Sequence, residues 1–261
     1  MRILRLLAIH LRLALSGALA YRADFLIHLF ESLLEFGTGL GGLALVFSHT
    51  QTLGGWSAPE VVALTGVFFI VGGAVRFAVQ PAMESLIESV RDGTLDFTLV
   101  KPVDSQVLVG LKRFEIWKLV DVLMGLAVLA VALWKLGAAV GLGDALRFAV
   151  ALAAGGAIVY SFWLMLATLS FWFVRVENIL VIFQSLYEAG RWPVNLYPGW
   201  LRFLLTFLVP VAFATTVPAE ALSGRIGWEK ILLSLGVAAG MLVLSRLFWK
   251  IGSRHYSGAS A

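Results

Sequence analysis

Five stretches of the chain stay apolar for about the 20 residues a helix needs to cross a hydrocarbon core of about 30 Å. They lie near residues 25–47, 60–82, 115–136, 146–172 and 230–249. The region from Val176 to Leu222 is less decided, because residues 178–187 and 200–217 are both apolar and together too long for one crossing. Two readings follow. Either Trp200–Val217 is the fifth span, or the fifth span covers 176–192 and the chain from Trp200 onward is a re-entrant pair of short helices broken at Pro210. Both give six spans and put the two termini on one side.

Two further segments are amphipathic. In MRILRLLAIHLRLALSGALA, Arg2, Arg5, Arg12 and Ser16 stand 3, 7 and 4 apart and form a narrow polar stripe on an otherwise apolar helix. That pattern suits a helix over 1–22 lying in the membrane interface with its arginines among lipid headgroups. The same stretch, with its basic start and Ala18-Leu19-Ala20, imitates a cleaved signal peptide, although His10 and Arg12 interrupt the apolar part. The second segment follows span two. Met83, Leu86, Ile87 and Val90 recur at helical spacing, while Glu84, Ser85, Glu88 and Arg91 fill the other face. Gly93 is placed to end this helix in a left-handed cap, and Lys101-Pro102 forces an extended turn. On pattern alone it is either a connector lying among headgroups or a docking helix for a partner.

Composition turns these stretches into a class. Of 261 residues, 60% are hydrophobic and 14% charged, against about 45–50% and 25% in soluble domains. The chain therefore reads as an all-α integral membrane protein that crosses the bilayer several times. In the second reading of the fifth span, thirteen of the 20 Lys and Arg residues fall on the side of the termini and six on the other, with Arg76 inside span two. Basic loops stay inside, so both termini and the Val90–Val103 segment are expected to be cytoplasmic. The net charge of +4 has this origin, and no basic patch interleaved with aromatics points to nucleic acid.

Chemistry is limited by what the sequence lacks. There are no cysteines, so disulfides, thiolate metal sites and thiol catalysis are excluded. His10, His28, His49 and His255 are scattered without metal-ligand spacing. No Gly-x4-Gly-Lys-Ser/Thr loop can cradle ATP phosphates, and no nucleophile-elbow motif occurs. No cofactor, metal site or catalytic residue is expected.

The run Glu88-Ser-Val-Arg-Asp-Gly93-Thr-Leu-Asp-Phe-Thr-Leu-Val-Lys-Pro102-Val resembles the cytoplasmic coupling segment of bacterial type-2 ABC transporter permeases, with its glycine, Leu-Asp, leucine and Lys/Arg-Pro. Downstream, Gly190-Arg-Trp-Pro193 through Pro198-Gly-Trp200-Leu to Pro210 is similar to that family's external signature, and Arg254-His-Tyr256-Ser-Gly-Ala-Ser looks like an ending found in one branch. Glu188 and Arg191 depart from it by placing charge where other branches are apolar.

The resemblance implies a single type-2 transmembrane domain over 1–261. Spans one to four lie within 25–172, with a coupling segment at 83–104 between spans two and three. Span five is 176–192, an external re-entrant hairpin is 193–222 with Pro193, Pro198, Trp200 and Pro210, span six is 230–249, and a cytoplasmic tail is 250–261. Glu84, Leu86, Ile87, Glu88, Arg91, Asp92, Gly93 and Leu95 are then the residues that couple to an ATPase. The implied assembly is an exporter in the bacterial inner membrane, with a second permease, identical or homologous, and two copies of a separate ATPase. Other classes are a proton-coupled secondary transporter using Glu31 and Glu35, and a non-transporting membrane assembly subunit.

An isolated charge at the bilayer centre costs about 2.5–3.5 kcal/mol on insertion scales, so charges within spans need partners. Glu31 and Glu35 lie 6 and 10 residues in from the cytoplasmic start of span one, and Arg76 lies 6 residues from the cytoplasmic end of span two. At 1.5 Å per residue all three share a depth of about 9–15 Å. An ion pair between the two spans is expected; a proton relay and cavity lining are the alternatives.

Overall fold

Out of reach of water a backbone must bond to itself, so apolar runs of this length fold as helices. The computed structural model describes residues 2–20, 22–137, 141–173 and 177–256. Arg175 and Val176 and the tail from Ser257 lie outside them, and the side chains of Arg2 and Arg22 are likewise not described. Helix α1 (Arg2–Ala20) is followed by α2 (Arg22–His49) and a two-residue antiparallel ladder, β1 (Thr52–Leu53) with β2 (Trp56–Ser57). Next come α3 (Ala58–Ala74), a π-helical turn (Val75–Val79) and α4 (Gln80–Arg91), then the short α5 (Asp96–Leu99) and α6 (Ser105–Gly110). Helices α7 (Leu119–Leu136), α8 (Leu142–Thr168) and α9 (Glu177–Glu188) follow. The chain closes with α10 (Gly199–Phe203), α11 (Val211–Ala214), α12 (Thr216–Leu222) and the long α13 (Trp228–His255).

Five helices are long and apolar enough to cross a membrane: Phe25–His49, Ala58–Arg91, Ile116–Leu136, Leu142–Phe171 and Trp228–His255. The pair Gly199–Leu208 and Val211–Leu222, bent by 69°, makes a sixth if it counts as one span. Helix α9 covers 12 residues, about 18 Å at 1.5 Å per residue, and so falls short of a bilayer core by itself.

Helix α3 is the axis of the bundle. Two-thirds (67%) of the span it begins is buried inside the chain, against 11% for α2 and 22% for α13. At its N-terminus Glu60 Oε2 accepts from both the Ser57 backbone N–H and the Ser57 hydroxyl at 2.7 Å. Its closest neighbour is α7. A Cβ on Gly125 would stand 2.7 Å from the Gly66 carbonyl oxygen and 2.7 Å from the Ile70 nitrogen, so only glycine lets these two backbones touch. At Gly37, Gly41, Gly236 and Gly240, at the spacing expected to bring helices together, an added Cβ would meet no other helix within 4 Å among the described residues.

Candidate coupling segment and buried charges

The helix that begins as α3 runs on through the π-turn to Arg91 as one rod of 34 residues. The amphipathic segment expected after span two is thus continuous with the helix of that span. Met83, Leu86 and Ile87 are buried as the periodicity requires. Gly93, at φ +68°, ends the helix, and the N–H groups of Thr94 and Leu95 return to the Ser89 carbonyl at 2.9 and 3.1 Å. Leu95 is buried beneath the turn.

The polar face expected to meet a partner borders a cleft. Glu84, Glu88 and Arg91 line one wall of a cleft of roughly 470 Å³, whose other wall is Leu180, Val181, Gln184 and Ser185 of α9. Gln80 Nε2 donates to Glu84 Oε1 at 2.9 Å, Glu88 stands 3.9 Å from Arg113, and Arg91 Nε donates to Asp92 at 3.2 Å. The apolar groups presented outward at the tip are Phe97 and Val100 on and just after α5, 72% and 78% exposed. Sequence periodicity missed them because α5 is a single turn, too short to show a repeat.

Behind the tip, α6 is tied to α13. Asp104 accepts from the N–H groups of Gln106 and Val107 at 3.0 and 3.3 Å and so caps α6. The Arg246 guanidinium grips both oxygens of the same carboxylate and donates to Gln106 Oε1 at 2.8 Å. Trp249 Nε1 donates to Ser105 Oγ at 3.3 Å. The hydrogen bond from Arg246 is the largest cause holding the Asp104 carboxyl below its ordinary range.

The charges inside the bundle pair otherwise than expected. Arg76 meets neither Glu31 nor Glu35; its Nη2 and Nε lie 3.1 and 3.2 Å from Asp121 Oδ2 on α7. Glu35 instead meets Arg191 at 3.0 Å, and Arg191 also holds Glu188 at 2.8 Å. Glu31 meets His28 at 3.1 Å, and the His28 ring stacks on Trp117. Equal depth is necessary for a pair but does not choose the partner. Helix α3 packs along α7 while α2 lies at the periphery, so the arginine on the π-turn that continues α3 finds the carboxylate on α7.

At the opposite end, Asn195 accepts from Trp56 Nε1 at 3.2 Å and donates to the Gly54 carbonyl at 2.8 Å. Arg225 donates to both Glu60 oxygens at 2.7 and 2.6 Å and lies over the Trp56 ring. Pro198 precedes α10, Pro210 sits at the 69° bend, Pro193 is buried, and Trp200 is exposed. A Cβ on Gly155 would come 2.5 Å from the Phe213 carbonyl oxygen, so this glycine seats α11 against α8. These residues form a bent helical unit clasped to the start of α3.

Residues 33–260 match the family model described as ABC-2 family transporter protein. The chain belongs to the ABC-2 transporter family. Neither a curated protein nor a solved structure matches it. The chain is therefore a multi-pass membrane component of an ABC transporter, a kind of domain that typically carries no catalytic activity. Among the described residues of this ABC-2 component, no group of three or more His, Cys, Asp or Glu is placed to hold a metal.

Proposed function

We propose that this chain is the permease subunit of an ATP-driven exporter of the bacterial inner membrane. It pairs with a second permease, identical or homologous, to enclose the substrate pathway, and two copies of a separate ATPase drive it. The observation that carries this reading is the tip formed by Gly93, α5 and Lys101-Pro102, which stands at the end of a continuous helix from the bundle core and presents Phe97 and Val100. Exposed aromatic and aliphatic side chains beside charged ones are what a desolvated protein contact uses. The cytoplasmic ATPase meets this tip, with Asp92 and Lys101 at its rim, while Glu84, Glu88 and Arg91 face α9. Residues 193–222 form the external re-entrant hairpin, and α1 lies in the cytoplasmic interface.

Co-purification tests the docking. Phe97→Asp with Val100→Asp is expected to leave the chain inserted and folded while ATPase recovered with it falls at least about tenfold, the scale of one interface hot spot. Undiminished recovery would move the contact elsewhere. Orientation is tested in the cysteine-free chain with single Lys101→Cys and Ser57→Cys variants. An impermeant thiol reagent added to intact cells is expected to label the second and spare the first; the opposite pattern would invert the topology.

A further inference from the structure

Where α1 passes the α5–α6 segment, the chain forms a half-open cavity of roughly 290 Å³. Its polar lining is Lys101, Lys112, His10 and Thr98, and no Asp or Glu lines it. Helix α1 contributes no acidic residue anywhere along its length. Neither lysine forms an ion pair among the described residues: Lys112 Nζ donates to Ser89 Oγ, and Lys101 bonds only through its backbone. Partial burial is the main cause holding Lys112 below its ordinary range, and repulsion from Lys101 adds a smaller push in the same direction. Glu88 acts in the opposite sense on Lys112, but its own ion pair is with Arg113.

Two further groups point to an occupant. Thr98 is 8% exposed, lines the cavity and has no side-chain hydrogen bond among the described residues, so its hydroxyl is free to meet an occupant. His10 uses Nδ1 on the Leu6 carbonyl at 2.8 Å, which leaves Nε2 uncommitted. The rest of the wall is apolar, with Leu6, Val103 and the buried Leu108. Two ammonium groups without an ion pair among the described residues, a hydroxyl without a bond and an adjoining apolar wall describe a site for an amphiphile with an anionic oxygen-rich head.

We propose that this cavity binds the phosphate headgroup of an anionic membrane phospholipid. Lys101 and Lys112 neutralise the phosphate, the Thr98 hydroxyl donates to one of its oxygens, and Leu6, Val103 and Leu108 meet the glycerol and the first methylenes. At roughly 290 Å³ the site suits a headgroup rather than a whole lipid, since pockets for drug-sized ligands run from about 300 to 1,000 Å³. Basic pockets at the membrane surface recognise lipid phosphate in this way. The proposal requires that this end of the bundle lie at a membrane surface, and it is independent of ATP or transport.

The test uses the full chain in nanodiscs of phosphatidylcholine and phosphatidylglycerol, released into mild detergent for native mass spectrometry. The wild-type chain is expected to retain one phosphatidylglycerol in preference to phosphatidylcholine. Lys101→Gln with Lys112→Gln is expected to lower that retention about tenfold, and Thr98→Val to lower it about threefold. Lys101→Arg with Lys112→Arg keeps the charge and is expected to keep the lipid. An unchanged melting temperature in the glutamine pair separates loss of the site from loss of the fold. Equal retention of both lipids by the wild type, or unchanged preference in the glutamine pair, would overturn the proposal. So would displacement of the lipid by millimolar glycerol phosphate, which would make the site one for soluble phosphate esters.

Discussion

Replacing Asp121 by alanine is expected to destabilise the chain by about 3–5 kcal/mol, the cost of leaving one member of a buried ion pair uncompensated. The Asp121 side chain is 2% exposed and that of Arg76 12%, so neither charge recovers water when its partner is removed. Arg76→Ala is expected to cost a similar amount. Replacing both with leucine restores much of the loss, because a buried pair is often no more stable than well-packed apolar side chains. Glu35→Ala serves as the comparison. Its partner Arg191 keeps Glu188 at 2.8 Å, and the Glu35 side chain is a third exposed (33%), so the loss is expected to be much smaller. Melting temperatures in one detergent rank the four variants. A wild-type melting temperature for Asp121→Ala would show that water reaches this pair.

The second large effect concerns transmission rather than stability. Asp104 and Arg246 are each 37% exposed at the side chain, and pairs of that exposure contribute about 0–1 kcal/mol to folding. Yet this clasp, with Gln106 and Trp249, connects the tip-bearing segment to α13. Asp104→Arg, which also removes the α6 cap at about 0.5–2 kcal/mol, is therefore expected to leave the chain folded and ATPase recovery intact while transport per ATP hydrolysed falls roughly 5- to 150-fold, the range of coupling free energies between sites. Asp104→Arg combined with Arg246→Asp should recover a large part of it. Proportionate loss of hydrolysis and transport in the single variant would mean that the clasp only shapes the docking surface. Arg246 lowers the Asp104 pKa, so what the clasp contributes is fully present above the ordinary carboxylate range of about pH 4. It is lost only as the pH falls through the lowered value, and no change near neutrality opens it.

Hydropathy located the five long helices to within a few residues at most of their ends, because twenty consecutive apolar residues leave the backbone no alternative. The exception is span two, expected to stop at residue 82 and continuous to Arg91. A π-turn changes the hydrogen-bond register without changing composition, so Val75–Val79 carries no signal of itself. Gly93 was legible as a cap because only its φ is needed, and the structure gives it +68°. The partner of Arg76 was not legible. Asp121 sits in VDVLMG on the α7 stripe that meets α3, and the facing of two helices follows from their glycine contacts, Gly66 on Gly125 and Gly73 on Val122. Those contacts are long-range and no local pattern marks them. The stretch 176–222 stayed ambiguous for a related reason: α9 and the bent pair are apolar enough for membrane depth but too short or too broken to declare which of them crosses.

The Arg76–Asp121 contact divides the 34-residue helix into two nearly equal arms. Arg76 stands 18 residues from Ala58 and 15 from Arg91, or about 27 and 22 Å at 1.5 Å per residue. The same helix also touches α7 backbone to backbone at Gly66 and Gly125, so it is fixed at more than one level and is a stiff strut rather than a hinge. The tip beyond Gly93 and the clasp of Glu60 with Arg225 are the two ends of one strut about 50 Å long at 1.5 Å per residue.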